Sequence, residues 1–80
     1  MHFVYIVKCS DDSLYTGYTT DVERRVSEHN SGDGAKYTRG RTPVTVVHTE
    51  TFETQSAAMS REYEIKQLSR DAKLQLIEES

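Results

Sequence analysis

The chain has 80 residues, 35% of them hydrophobic and 29% charged, with a formal net charge of -3, which predicts one domain over residues 1–80 with a thin core. No apolar run approaches the length of a transmembrane helix or fits a signal peptide, so we expect no membrane contact. A single cysteine, Cys9, excludes an internal disulfide and a four-cysteine zinc site and favours a reducing, cytoplasmic setting.

The first part of the chain predicts a β-hairpin. Residues 3–9 are rich in β-branched and aromatic side chains and predict a well-buried strand. A turn-forming cluster at 10–13 separates it from a second strand over 14–18.

The length of the hairpin loop decides where two tyrosines lie. With an odd, three-residue loop, Cys9 pairs with Ser13 and Tyr5 pairs with Gly17. Tyr5 and Tyr15 then share one face of the sheet on diagonal positions, whereas an even loop places them on opposite faces. We predict the odd loop, in which Gly17 leaves a notch beside Tyr5 for a substrate group.

A helix follows the hairpin. Thr20 and Glu23 have the spacing of a capping box, which predicts the start of this helix. Gly32 and Gly34 predict its end, and a polar, basic loop then continues through Arg41.

The rest of the chain predicts one strand and two helices. The strand covers 44–49, a long helix capped by Thr54 or Ser56 reaches about residue 68, and a short helix covers 70–78. The order ββαβαα implies an α/β (α+β) fold with a small three-stranded antiparallel or mixed sheet flanked by helices.

Polar residues interrupt the apolar faces of both longer helices. In the first, Val22, Arg25, Val26 and His29 lie on one face, so Arg25 and His29 project toward the protein. In the second, Glu62 falls within an arc formed by Ala58, Met59, Tyr63 and Ile65. A carboxylate there is costly unless it is paired or binds a metal. One alternative is a structural ion pair between Arg25 and Glu62, with His29 as a packing residue.

These residues resemble a known family. Phe3-Val4-Tyr5 followed by Tyr15-Thr16-Gly17 is similar to the paired signature of the GIY-YIG nuclease superfamily, and Arg25, His29 and Glu62 follow in the family's order. The match covers essentially the whole chain and is best with compact single-domain members. Further matching segments are Tyr18-Thr19, His29-Asn30-Ser31-Gly32, Lys36-Tyr37-Thr38 and Glu62-Tyr63-Glu64-Ile65-Lys66.

The chain departs from the family pattern in two respects. Phe3 and Val4 replace the glycine and isoleucine of the first signature, and Thr16 replaces the isoleucine of the second. A downstream asparagine of several family nucleases has no counterpart, because the only asparagine is Asn30.

The resemblance implies a metal-dependent phosphodiesterase. Glu62 would hold Mg²⁺ (or Mn²⁺), and Arg25 would clamp the scissile phosphate. Tyr5 would be the general base, with Tyr15 hydrogen-bonded in the same site or in the exchanged role. A phenol is a weak base at pH 7, so we expect the metal, Arg25 and His29 to lower its pKa.

The expected partner is nucleic acid, DNA in particular, cut in a structure-selective or partner-guided way, with a protein partner as one source of specificity. The basic residues are concentrated between positions 24 and 41. This local positive charge is compatible with phosphate contacts, although the net charge of the whole chain is negative. The substrate-contact candidates are Gly17, Arg24, Lys36, Tyr37, Arg39 and Arg41. Two alternatives stay open: a non-catalytic nucleic-acid-binding module, and a protein-interaction domain with a buried Arg-His-Glu network.

Overall fold

A computed structural model describes residues 1–79, and Ser80, the last residue of the predicted domain, lies outside them. The elements follow the predicted order and are β1 (His2–Lys8), β2 (Leu14–Thr19), α1 (Val22–Ser31), β3 (Thr45–Phe52), α2 (Gln55–Lys66) and α3 (Arg70–Glu79). The strands form one antiparallel sheet in the order β2-β1-β3, so the α+β prediction is confirmed and the sheet is not mixed. Within residues 1–79, no helix has the length and apolarity needed to cross a membrane.

The central strand β1 is buried on both faces. On one face, α2 and α3 cover a cluster centred on Val4, Ile6, Ala58 and Ile65. On the other face, α1 packs with a second cluster centred on Tyr5, Val7, Cys9 and Val44. Since successive side chains of a strand point to opposite faces, a strand covered on both sides needs a continuous apolar run, as residues 3–7 have.

The hairpin has the predicted three-residue loop. The Cys9 N–H donates to the Ser13 carbonyl at 2.8 Å, and the Asp12 N–H donates to the Cys9 carbonyl at 3.0 Å. Asp12 closes the turn at φ 67°, a left-handed conformation that aspartate tolerates better than most residues. Tyr5 therefore pairs with Gly17, and Tyr15, two residues away, lies on the same face.

The start of α1 differs from the prediction. Asp21, not Thr20, is the N-cap, and its carboxylate accepts from the Arg24 N–H at 3.1 Å. The predicted capping box is wrong because the N-cap lies one residue later, so Arg24 and not Glu23 stands at the third helical position. The hydroxyl of Thr19 accepts from the Asp21 N–H at 3.1 Å. The cap shifts by one residue, but the face that α1 turns to the sheet does not change.

The remaining boundaries differ by a few residues. β3 begins at Thr45 and continues to Phe52, three residues beyond the prediction. The hydroxyl of Thr54 caps α2 by accepting from the Ala57 N–H at 3.1 Å, which decides between the two predicted caps. The segment predicted as a loop contains a 3₁₀ turn, Lys36–Thr38, which lies over the end of α1.

Candidate active site

The ring of Tyr5 lies across the backbone of β2 at Gly17. A Cβ atom at position 17 would overlap the phenol oxygen of Tyr5 and lie 2.6 Å from its Cζ. Glycine is therefore needed at position 17 so that the phenol can reach the outer edge of the sheet. The ring of Tyr5 itself occupies the predicted notch beside Gly17, and contact of a substrate group there stays a prediction.

Tyr5 belongs to a directed hydrogen-bond chain in the core. Its hydroxyl lies 2.9 Å from Nε2 of the fully buried His29, whose Nδ1 lies 2.7 Å from the Thr38 hydroxyl. Thr38 donates its single hydroxyl proton to the Ala35 carbonyl at 2.9 Å. Because that proton is committed, Thr38 can only accept from His29, which places the His29 proton on Nδ1. In a neutral imidazole, Nε2 is then the acceptor and Tyr5 the donor.

The side chains of this hydrogen-bond chain are uncharged near pH 7. Burial and the neighbouring Arg25 guanidinium lower the pKa of His29, so its ring is uncharged near pH 7. Burial raises the pKa of the Tyr5 phenol, and a hydrogen bond with the Arg25 guanidinium, together with its charge, opposes that shift only in part. The expectation that His29 supplies positive charge is therefore wrong, whereas Arg25 acts on the Tyr5 pKa in the predicted direction. His29 is instead a proton acceptor for Tyr5.

Two residues that position His29 were not assigned a role from the sequence. A Cβ at Gly34 would lie 2.7 Å from the His29 Cα, so glycine lets the chain close over the ring. Sequence reasoning gave Gly34 only the end of α1, and it gave Thr38 no function. The one signal for Thr38 is the similarity of residues 36–38 to the compact family members.

Arg25 and His29 lie on the face of α1 that is turned to the sheet, as predicted. The Arg25 side chain is 28% exposed, and its Nη1 donates to the Glu28 carboxylate at 3.0 Å. Its charge acts on the Tyr5 phenol. A guanidinium that is half-buried beside a phenol and keeps contact with solvent can bind a phosphate oxygen.

Glu62 lies on α2, which covers the face of the sheet opposite to α1, and its charge adds to the rise in the Tyr5 pKa that burial causes. Its side chain is 16% exposed and lies 3.6 Å from the Lys66 ammonium. The expected apolar arc is only half correct, because Met59 and Tyr63 are 43% and 67% exposed. Glu62 therefore sits at the margin of the buried face, where a ligand can reach it.

Arg25 and Glu62 do not form the alternative ion pair. Arg25 binds Glu28, and Glu62 lies next to Lys66. His29 is bonded to Tyr5, with which Arg25 also interacts. Within the described residues, no hydrogen bond or ion pair joins Glu62 to Arg25 or His29, so the predicted Arg-His-Glu network does not form.

The carboxylate of Glu62 fits a metal held jointly with substrate. Among residues 1–79, no three His, Cys, Asp or Glu side chains could hold an ion between them. Mg²⁺ characteristically binds through one or two carboxylates together with water and substrate phosphate oxygens. The residues therefore suit a hard divalent ion that binds with the phosphodiester, and they do not suit a metal cage made by protein alone. Asn30 gives Glu62 no support, because its amide binds the Val44 backbone at 2.7 and 3.3 Å.

An aromatic stack extends the site toward the basic segment. The Tyr15 ring centroid lies 5.4 Å from that of His29 and 6.5 Å from that of Tyr5. Tyr37 stacks on Tyr15 at 5.7 Å, and the Arg41 guanidinium lies 4.6 Å from the Tyr37 ring centroid. The structure thus brings Tyr37 and Arg41 to the predicted cleft through Tyr15.

The other three predicted basic contacts lie further out. Arg24 is exposed and lies 3.9 Å from Glu28. Lys36 and Arg39 are exposed, and within the described residues their side chains have no ion pair or hydrogen bond. Their positive charge is therefore not neutralised by a neighbouring carboxylate.

Comparison with known proteins agrees with this geometry. A family model described as the GIY-YIG catalytic domain matches residues 1–75. A UPF0213 protein of Haloquadratum walsbyi is 73% identical over 78 residues, 98% of this chain and 88% of that protein. A UPF0213 protein of Staphylococcus aureus is 63% identical over 78 residues, 98% of this chain and 95% of that protein. The solution NMR structure of a UPF0213 protein from Bacillus halodurans is 57% identical with a TM-score of 0.63, covering 96% of this chain and 82% of that one.

Proposed function

Because this chain belongs to the GIY-YIG catalytic domain family, we propose that it is an endonuclease that hydrolyses phosphodiester bonds of DNA with Mg²⁺ (or Mn²⁺). The observation that carries the proposal is the directed chain from Tyr5 through His29 to Thr38. A buried phenol that donates to a neutral imidazole has a defined route for losing its proton.

The proposed reaction does not need a deprotonated Tyr5 before the substrate is attacked. Water attacks phosphorus and gives its proton to the Tyr5 oxygen, while the phenolic proton passes to His29 Nε2. Thr38 keeps accepting from His29 Nδ1, so the imidazolium remains hydrogen-bonded. The bond from phosphorus to the leaving oxygen breaks, and that oxygen takes a proton from solvent. The lowered pKa of His29 keeps Nε2 free to accept near neutral pH.

Arg25 and Glu62 act on the phosphate. Arg25 stabilises the charge that develops on a non-bridging oxygen, which a planar guanidinium does with two parallel hydrogen bonds. Glu62 would hold the divalent ion, which would supply Lewis acid stabilisation of the phosphate. Tyr15 packs against both Tyr5 and His29 and keeps their rings in place.

The substrate is held through its backbone. Lys36, Arg39 and Arg41 lie on one segment beside the Tyr15–Tyr37 stack, and such contacts bind phosphates without reading sequence. Eighty residues leave few elements for base recognition. We therefore propose structure-selective or partner-guided cutting, in a cytoplasmic setting.

A nicking assay tests this function. Supercoiled plasmid and branched DNA are incubated with Mg²⁺ and with the wild type, Glu62→Gln or Tyr5→Phe, and Glu50→Gln, which breaks the ion pair with Arg61, serves as a control. We expect each site variant to lose about 10²-fold or more of the nicking rate, the usual contribution of one acid–base or metal group. Equal rates for wild type and Glu62→Gln would overturn the proposal. Salt-sensitive DNA binding without cleavage would then favour the non-catalytic nucleic-acid-binding module.

A further inference from the structure

A cavity of about 250 Å³ lies between the hairpin and the start of α3. Its lining consists of Ser13, Leu14, Tyr37, Arg70 and Lys73. Of these five residues, only Tyr37 also belongs to the proposed catalytic cleft. No residue of α3 contributes to that cleft. The cavity therefore requires a separate explanation.

Its two cations are available to a ligand. Arg70 spans the cavity by donating from Nη2 to the Asp12 carbonyl at 2.8 Å, which leaves its other N–H groups free to bind. The Lys73 side chain is half-buried, and within residues 1–79 it has no ion pair or hydrogen bond. A partly desolvated ammonium without a partner favours an anionic ligand.

The acidic residues of the hairpin do not neutralise this cavity. Asp11 binds the Arg41 guanidinium at 2.6 Å. The Asp12 carboxylate lies 3.2 Å from the Lys8 ammonium, so Arg70 contacts only the backbone of Asp12. Each carboxylate already has a different cation, and the charge facing the cavity stays positive.

The cavity is joined to the cleft through Tyr37. That ring forms one wall of the cavity and stacks on Tyr15 at 5.7 Å, while Tyr15 contacts His29 at 5.4 Å. Two stacked rings, Tyr37 and Tyr15, thus connect the cavity with the catalytic chain.

We propose that this cavity binds a backbone phosphate of the strand being cut, next to the scissile phosphate. The inference rests on the proposed function, because it places the two sites on one strand. Arg70 provides a fork of donors, Lys73 a point charge, and Ser13 a hydroxyl, a set that suits a phosphate diester and is indifferent to the base. The cavity positions the strand and takes no part in the chemical step.

Binding of a fluorescent five-nucleotide thymidine oligomer, measured without divalent metal, tests the inference. Lys73→Gln and Arg70→Gln each remove one cation from the cavity, and Lys8→Gln removes one from the same end of the molecule without altering the lining. We expect the two cavity variants to bind about three- to tenfold more weakly, the loss of one charge-assisted contact. The slope of log affinity against log salt should fall by about 0.7 for each variant, the value for one phosphate on a single strand. Lys8→Gln should change neither quantity comparably.

Amide shifts in ¹H–¹⁵N spectra locate the oligomer. We expect changes at Ser13, Leu14 and Lys73 on titration with the oligomer, and much smaller changes with a glutamate decapeptide. Three results would overturn the inference: cavity variants that match Lys8→Gln, preferential binding of the peptide, or no binding of the oligomer by the wild type. Because the Lys73 side chain has no partner among residues 1–79, Lys73→Gln tests binding even if Arg70→Gln unfolds.

The two proposals fail separately. A wild type that nicks DNA while its cavity variants bind and cut normally contradicts the phosphate position alone. A wild type that binds the oligomer at Lys73 but never nicks DNA contradicts the endonuclease alone.

Discussion

Replacing Thr38 with valine removes one hydroxyl and nearly preserves the side-chain volume. The hydroxyl accepts from His29 Nδ1 at 2.7 Å and donates to the Ala35 carbonyl at 2.9 Å. Without an acceptor beside Nδ1, the imidazole keeps a favourable bond only by moving its proton to Nε2, where it would donate to Tyr5. The phenol then loses the group that takes its proton.

The expected losses are of different size for activity and stability. General base catalysis contributes about 10²–10⁴-fold in rate, so Thr38→Val should lower kcat by about 10²-fold while KM for DNA stays within about twofold. Leaving buried groups unpaired costs about 1–3 kcal/mol. For a domain of this size, each 1 kcal/mol corresponds to a decrease in Tm of about 4–8 °C. Thr38→Ser keeps the hydroxyl and should retain most of kcat.

The assay separates a positioning role from a packing role. Single-turnover nicking gives the chemical rate, thermal unfolding gives the stability, and ¹⁵N spectra of the imidazole identify the protonated nitrogen. We expect Nδ1–H for His29 in wild type and Thr38→Ser, and Nε2–H in Thr38→Val. A residue that only filled space would change Tm and leave the tautomer as it is.

Two results would refute the reasoning. If wild-type His29 carries its proton on Nε2, the direction assigned to the chain is wrong. If Thr38→Val shifts the tautomer but keeps the wild-type chemical rate, His29 is not the acceptor for Tyr5 during catalysis.

Three further predictions follow from the same contacts. Burial and the Arg25 charge hold the pKa of His29 below its unfolded value of 6.5, so the unfolded chain binds more protons and the free energy of unfolding should fall as pH drops below about 6.5; His29→Gln should remove this part of the slope. Gly17→Ala should destabilise the fold by about 1–3 kcal/mol through overpacking, and Tyr5→Phe should relieve it only partly, because the Tyr5 Cζ also lies too close. Glu50→Gln breaks the 2.8 Å contact with Arg61 on the α2 side, and because both side chains are partly exposed it should cost about 1 kcal/mol without changing the nicking rate.

Each of these predictions has its own contradiction. A stability profile that is identical in wild type and His29→Gln would exclude a lowered pKa for this residue. Full rescue of Gly17→Ala by Tyr5→Phe would assign the clash to the phenol oxygen alone. A Glu50→Gln variant with slow nicking and normal Tm would connect the Glu50–Arg61 ion pair to the chemistry.

The sequence predicts those parts of the site that depend on periodicity. Tyr5 and Tyr15 share a face because strand side chains alternate and the loop is odd. The alternation follows from strand geometry, whereas the turn residues allow both an odd and an even loop. Arg25 and His29 are found by helical periodicity, since they replace apolar residues on one face. Glu62 is found for a partly wrong reason, because half of its apolar arc is exposed. Exposure of Met59 and Tyr63 depends on where α2 crosses the sheet, which no local pattern specifies.

The parts that the sequence does not predict depend on contacts between distant segments. Thr38 reaches His29 because the chain closes over α1 at Gly34. A threonine in a polar segment carries no periodic signal, and glycine after a helix has an ordinary explanation as a cap. The filling of the Gly17 notch by Tyr5 is a matter of ring orientation, which strand register leaves open.

The acidic net charge of the chain is compatible with DNA binding because its carboxylates near the cleft are already paired. Asp11, Asp12 and Glu28 each have a basic partner, at 2.6, 3.2 and 3.0 Å. Their fields are therefore partly cancelled at short range, and salt screens the remainder over about 8–10 Å. Within residues 1–79 the side chains of Lys36, Arg39 and Lys73 have no such partner, and all three flank the Tyr15–Tyr37 stack or the adjoining cavity. A phosphate backbone meets these unpaired cations first, so we expect DNA affinity to fall steeply with salt although the whole chain is an anion.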